Sequence, residues 1–305
     1  MRIIRPHERL TLFQTEVEGY LTTAALLLLP GCNVVVDTME LPERMDPLWS
    51  HLRERGREKL PLWVINSHHH WDHVWGNSAF PGSPIIAHEF CRRRLETGGA
   101  AVLCQYRSKD DRYDAVSLVL PGLTFTDRMV LHDGDCRLEL LHFPGHTDDS
   151  LLVTLPGEGL LLAGDSLEDP FPMLEWEGGT ERYLRNLLTL RGKTIRTVIP
   201  GHGPLSGPDL IERNLYYVRQ VWQMARLAVR RKEPLESLFE IPVEVFFRPA
   251  MDSPARRAGT SALNPPSTPA SASPEGSGLR PCDRDTHARN LERAYLDARD
   301  APEER

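Results

Sequence analysis

Short apolar runs, each stopped by glycine, proline or aspartate, constrain this chain more than any other feature. "YLTTAALLLLPGCNVVVDT" (residues 20 to 38) holds two such runs about a Pro30-Gly31 turn, and "LPLWVIN", "SPIIAH", "LTFTDRMVL", "CRLELLHF", "SLLVTLPGEGLLLAGD" and "TIRTVIP" repeat the pattern downstream. Runs of this length bounded by turn residues read as buried strands. Helical segments lie between them. Asp46 is placed to cap one, with Pro47 at its first position and Leu48, Trp49 and Leu52 on one face. "EFCRRRLETGG" reads as a second, ending at Gly98-Gly99, and "TERYLRNLLTLRG" as a third. Ile211, Leu215, Val218, Trp222, Ala225 and Val229 alternate at spacings of four and three, the stripe of a long helix. Residues 102 to 121 carry no clear pattern. The order is β-rich segments followed by alternating helix and strand, twice over, which predicts an α/β chain of two similar halves packed face to face with helices outside.

The chemistry sits where these runs end. "VINSHHHWDHVWGN" (residues 64 to 77) sets His68, His70, Asp72 and His73 in the pattern H-x-H-x-D-H. In extended geometry residues two apart point the same way, so His68 and His70 can converge on one cation, while Asp72 and His73, entering a turn, can face a second. Imidazole and carboxylate together suit a catalytic zinc, whereas closed structural sites favour thiolates. Three further candidates each follow an apolar run: His146 in "LLHFPGHTDDS", Asp165 in "GLLLAGDS" and His202 in "TVIPGHGP". The set of five histidines and two aspartates fits two divalent ions sharing one carboxylate. The bland readings apply elsewhere: His69 is exposed or in an outer shell, His88, His132 and His142 are structural, Trp71 and Trp75 are wall and packing residues, Cys91 and Cys104 are buried thiols, and Asp148-Asp149 form a turn.

The series "VVVDT", "HHHWDH", "PGHT", "AGDS", "IPGHG", in that order, resembles the metallo-β-lactamase-fold hydrolase superfamily, over about residues 10 to 235. The resemblance implies a four-layer αβ/βα sandwich with metals at one edge between the sheets. It implies that His68, His70 and His146 hold a first metal, that Asp72, His73 and His202 hold a second, and that Asp165 bridges them. Asp37 would be an internal carboxylate in an outer shell, and Asp72 would also pass a proton. The expected cofactor is a pair of Zn2+ ions, with iron or manganese as alternatives, and the expected reaction is hydrolysis of a thioester or lactone by an activated water. A mononuclear iron redox enzyme resembling the persulfide dioxygenases, and phosphodiester or β-lactam hydrolysis, are the competing readings. A non-catalytic module is disfavoured because such members lose ligands and this chain has all seven.

Composition narrows the field. The 305 residues carry a formal net charge of −7, which gives no general attraction to nucleic acid or anionic membrane. No apolar run reaches the ~18 residues of a membrane span, and the N-terminus lacks the apolar segment of a secretory signal. The five cysteines are scattered, without a disulfide framework, so the cytoplasm is the expected compartment and a small molecule the expected partner. From about residue 249 the chain turns rich in proline, serine and alanine. Residues 1–248 are therefore expected to form the hydrolase domain, 249–282 a disordered linker, and 283–305 a C-terminal helix with two competing readings: docked at the active-site edge as a substrate wall or, as its short, alanine-rich stripe favours, a solvated appendage.

Overall fold

The computed structural model describes residues 1–247 and 279–301. β1 (Arg2–His7), β2 (Leu10–Val17), β3 (Tyr20–Leu28) and β4 (Asn33–Val36) pair antiparallel in chain order. β5 (Leu62–Ile65), β6 (Ile85–His88) and β7 (Leu123–Phe125) extend the same sheet in parallel. A second sheet takes β8 (Arg128–Asp133), β9 (Cys136–His142), β10 (Leu151–Leu155) and β11 (Leu160–Gly164) antiparallel, then β12 (Thr197–Pro200) parallel to β11. The helices are α1 (Asp46–Glu54), α2 (Trp71–Val74), α3 (Glu89–Arg94), α4 (Ala100–Arg107), α5 (Thr180–Leu188), α6 (Asp209–Arg231), α7 (Glu236–Phe239) and α8 (Pro281–Asp300).

Strand periodicity makes the layers. Leu27, Val34, Val36 and Ile65 point inward from the first sheet and meet Leu140, Val153, Leu160 and Leu162 of the second, forming one apolar seam. The alternate residues Leu26, Val35 and Val64 face outward and are covered by Met45, Leu48 and Leu52 at α1. On the other side Leu161, Ala163 and Val198 pack under Tyr183 and Leu187 of α5 and under Leu215, Val218 and Trp222 of α6. This is the expected four-layer αβ/βα sandwich, and both sheets deliver their active strand ends to the same edge.

Local readings differ in three places. Met45, not Asp46, occupies the cap of α1, and no side chain caps it; Asp46 and Pro47 form its first turn. Gly98 and Gly99 do not end a helix: both keep helical backbone, and a π-turn at Leu95–Gly99 joins α3 to α4. Neither glycine needs the left-handed conformation that a terminating glycine supplies. Cys104 is exposed, whereas Cys91 is buried as expected.

The C-terminal helix begins at Pro281 and is no solvated appendage. It lies along α6 with Leu291, Ala294 and Ala298 in the core around α5 and α6. The apolar stripe is short, but polar residues complete the interface. His287 Nδ1 lies 2.9 Å from the Tyr217 hydroxyl, Asn290 Nδ2 donates to the same oxygen at 3.0 Å, and the Tyr295 hydroxyl donates to the Glu233 carbonyl. At its N-terminal end the Tyr20 hydroxyl meets Thr286 Oγ1 at 2.9 Å, and the Arg280 guanidinium sits 5.1 Å from the Tyr20 ring. The hydrogen bonds of Asn290 and Tyr217 offset a desolvation penalty that counting apolar area alone overlooks. The linker expected at 249–282 falls mostly outside the described residues. Among the described residues no helix is long and apolar enough to cross a membrane.

Docking makes α8 testable. Leu291→Ala is expected to cost about 2–5 kcal/mol in chemical denaturation, the range for a buried leucine; a change within about 0.5 kcal/mol would be that of a solvated helix. Burial lowers His287 to about 4, against a weak opposing pull from Glu244. The unfolded chain takes up that proton near pH 6.5 and the folded chain only near 4. Between these values the unfolded state binds more protons, so the stability of α8 is full above pH 6.5 and falls as pH drops towards 4. Amide exchange of α8 across this range is expected to follow that course, and His287→Gln to flatten it.

Candidate metal centre

At the shared edge, β4 ends in Asp37, whose backbone takes the left-handed conformation (φ 62°) and turns its carboxylate back under the next loop. Asp37 Oδ1 and Oδ2 accept from the backbone N–H of Ser67 at 2.7 Å and from its hydroxyl at 2.8 Å, and Oδ2 also meets His73 Nδ1 at 2.9 Å. The loop after β5 is thereby pinned at both ends, with His68 and His70 in its extended part and Asp72 and His73 in the single turn of α2. His146 comes from the β9–β10 loop, and Asp165 and His202 follow the last residues of β11 and β12. The two glycines beside these ends are matters of space. A Cβ on Gly201 would fall 2.0 Å from Asp165 Oδ1, and one on Gly164 (φ 49°) would strike the Ser67 side chain at 2.6 Å.

All seven residues singled out from the sequence converge, in two groups. His68, His70, His146 and Asp165 offer one set of ligand atoms within 4.8 Å of one another, and Asp72, His73 and His202 offer another. His68 Nε2 and His146 Nε2 stand 3.5 and 3.6 Å from Asp165 Oδ2, and His146 Nε2 is 3.0 Å from His70 Nδ1. His202 Nε2 is 3.2 Å from both Asp72 Oδ2 and Asp165 Oδ2, and His73 Nε2 is 3.6 Å from Asp72 Oδ2 and 3.2 Å from Asp165 Oδ1. A tetrahedral shell of radius ~2.0–2.2 Å has edges of ~3.3–3.6 Å, so these separations suit ligands around a small cation. His68 Nε2, His73 Nε2 and Asp165 Oδ1 are buried without a hydrogen bond. Buried polar atoms are rarely left so, and three aimed into one spot fit a bound divalent ion.

Each of the five candidate ligand histidines has its second nitrogen engaged. His68 Nδ1 meets Ser67 Oγ at 3.0 Å, His70 Nε2 meets Glu175 Oε2 at 3.1 Å, and His202 Nδ1 meets Thr22 Oγ1 at 3.2 Å. His73 Nδ1 faces Asp37, and His146 Nδ1 donates to the Met173 carbonyl at 2.9 Å. Such partners fix ring orientation and leave the other lone pair free for a metal. Electrostatics agrees. Burial, reinforced by the neighbouring imidazoles, lowers His68 and His146 and keeps them neutral. Burial also opposes charge on His73 and His202, yet Asp165 and Asp72 carry both well above the usual range. The field in the second group thus favours a cation.

A cleft of about 360 Å3 opens over the groups. His70, Asp72, His146, Asp165 and His202 face it, Trp71 and Tyr106 form one wall, Val17, Glu18 and Tyr20 of the β2–β3 turn a second, and Cys282, Asp285, Thr286 and Arg289 of α8 a third. Sequence reasoning missed Glu175 and Thr22, and it offered the α8 wall only as the disfavoured alternative. Glu175 lies in "MLEWEGG" without periodicity, and no local signal marks it. His69 is neither ligand nor idle: its Nδ1 lies 2.9 Å from Oδ1 of the fully buried Asp149, which is more than a turn residue. Arg94 is paired with Asp148 at 2.7 Å. His88 and His142 stack on each other at 3.8 Å as structural residues.

The profile of the metallo-beta-lactamase superfamily matches residues 18–202. Among curated proteins, avaE of Aspergillus versicolor, described as a putative transcription factor, is 29% identical over 182 residues, covering 53% of this chain and 54% of its own length. The hydroxyacylglutathione hydrolase of Pelagibacter ubique is 26% identical over 158 residues, covering 52% and 57%. The chain thus spans about half the length of these two relatives. The bovine acyl-coenzyme A thioesterase MBLAC2 is 26% identical over 207 residues, covering 59% and 72%. A solved metallo-beta-lactamase family protein of Thermus thermophilus superposes with a TM-score of 0.59 at 22% identity, covering 76% of this chain and 87% of its own.

Gly201→Ala is expected to displace the Asp165 carboxylate and lower metal content at least severalfold while far-UV circular dichroism stays unchanged. Full metal content would mean that the carboxylate is not held by this close approach.

Proposed function

This chain belongs to the metallo-beta-lactamase superfamily, and from that premise we propose that it is a hydrolase using two divalent cations, zinc foremost, to cleave the thioester or lactone bond of a small acyl substrate. The carrying observation is the completeness of both ligand groups together with the three buried, unpaired ligand atoms. In this reading His68, His70 and His146 hold the first cation, Asp72, His73 and His202 the second, and Asp165 serves both. The relatives named for hydroxyacylglutathione and acyl-coenzyme A support an acyl bond. The completeness of the second group favours two cations over the single iron of a redox enzyme.

When bound, the cations would supply Lewis acidity towards the acyl oxygen and lower the pKa of a water towards neutrality. The chain's own residues do the remaining work. Asp165, held well below the usual carboxylate range by the imidazoles of His202, His73 and His68 against the effect of burial, stays ionised. Asp72, lowered to about 2 by His73 and His202 against the same effect, faces the cleft as an acceptor within reach of the attacking water's proton. Trp71 and Tyr106 offer an apolar wall to the acyl chain and exclude water. The five free cysteines suit a reducing compartment, and we take this to be the cytoplasm.

Protein purified without added metal is expected to carry about two zinc ions per chain by elemental analysis and to hydrolyse thioesters or lactones in a screen that includes phosphodiesters and β-lactams. One iron per chain, with no hydrolysis, would overturn the proposal. Asp165→Asn removes the shared negative charge and is expected to lose the second cation and about a hundredfold or more in kcat with folding preserved; unchanged metal content and turnover would sink its role. The ligand imidazoles must be neutral, so acid should strip the metals and activity together, with partial rescue by added zinc.

A further inference from the structure

The two ligand groups are not supported alike. His73 and His202 lean on Asp37 and Thr22, side chains of the first sheet and its loops. His70 and His146 lean instead on the irregular segment after β11. The Met173 carbonyl accepts from His146 Nδ1, the Glu175 backbone N–H donates to the His146 carbonyl at 3.1 Å, and the Glu175 carboxylate meets His70 Nε2. That segment has no regular secondary structure of its own. Besides the Glu168 carboxylate, which accepts from the Met173 N–H at 3.2 Å, it is held from α8, far beyond the last motif histidine in the chain. Asn290 brackets Met173: its Oδ1 accepts from the Leu174 N–H at 2.7 Å and its Nδ2 donates to the Pro172 carbonyl at 2.8 Å. Asp297 takes the far end, accepting from the Gly178 N–H at 2.8 Å, the Thr180 N–H at 3.0 Å and the Thr180 hydroxyl. Asn290 is fully buried, and its position is fixed by the Tyr217 hydroxyl as well.

We propose that Asn290 is a positioning residue for the first cation, so that this one side chain of the C-terminal helix sets the affinity of the His68–His70–His146 group while leaving the Asp72–His73–His202 group unaffected. The inference rests on the two-cation reading above. Asn290 touches neither metal nor ligand. It holds the Met173 carbonyl where His146 must donate, which keeps that imidazole in the tautomer whose Nε2 lone pair faces Asp165. An alanine there frees the bracketed peptides, and both the His146 and His70 rings lose their fixed orientation.

The test uses the full chain, stripped of metal and titrated with Zn2+ or Co2+ in competition with a chelator. Wild type is expected to bind two ions. In an Asp72→Ala background, which leaves the first group, Asn290→Ala should weaken binding about tenfold; in a His146→Ala background, which leaves the second, it should change binding less than twofold. Leu291→Ala is the control: it removes apolar packing from the same helix while keeping both amide hydrogen bonds of Asn290, and it should spare both affinities. If Asn290→Ala does not fold, Asp297→Asn, which loosens the far end of the segment, should show the same selectivity at about threefold. Equal loss in both backgrounds, equal loss with Leu291→Ala, or no loss would overturn the inference. A wild-type chain that binds fewer than two ions would instead overturn the two-cation reading, and this inference with it.

Discussion

A buried carboxylate with an unsatisfied oxygen governs this molecule. Asp165 is almost wholly removed from water, and its Oδ1 accepts no hydrogen bond although His73 Nε2 lies 3.2 Å away. Asp72 and Asp37 add further negative charge to the same pocket. Isolated charge in a low-dielectric interior is costly, so an arrangement of this kind persists where cations share the space. The surrounding architecture serves that demand. Two sheets pack so that strands from both end at one edge, where the segment after β5 brings four of the seven candidate ligands and the ends of β9, β11 and β12 bring one each.

Rigidity comes from the layer beyond the ligands. Asp37 ties the β4 and β5 ends together through Ser67 and His73, and the reciprocal amide pair of Asn66 and Asn77 holds the next turn. The first group is built differently, on an irregular segment that regular hydrogen bonding cannot hold in place. A helix from the far end of the chain takes over that task and also walls the cleft. Support of the site and a wall of the cleft are thereby joined in one element.

The order of elements and the candidate ligand set were legible in the sequence because both depend on short-range rules. Strand periodicity in "ALLLL" and "NVVV", the glycines of "AGD" and "PGHG", and histidines at strand ends are local signals with a local cause. Seven candidate ligands spread from His68 to His202 could be named together because they follow apolar runs closed by a glycine or a turn.

What only the tertiary structure decided was which distant groups complete the site. The appendage reading of the C-terminal helix failed because it weighed only the apolar stripe of Leu291, Ala294 and Ala298; Asn290, Asp297 and His287 find partners more than sixty positions away, and nothing in a local pattern shows that a polar residue will be satisfied on burial. Glu175 and Thr22 escaped notice for the same reason, each acting through a single contact across the fold. Gly98 and Gly99 misled in the opposite sense, since packing of Gly99 against Leu95 and Leu118 overrode a local stop signal. The sequence by itself determined the sandwich and which side chains are candidates for holding a metal, because periodicity and strand-end placement are properties of neighbouring residues. The tertiary structure alone decided how those side chains are oriented and what walls the cleft, because orientation is set by hydrogen bonds between segments that meet only after folding.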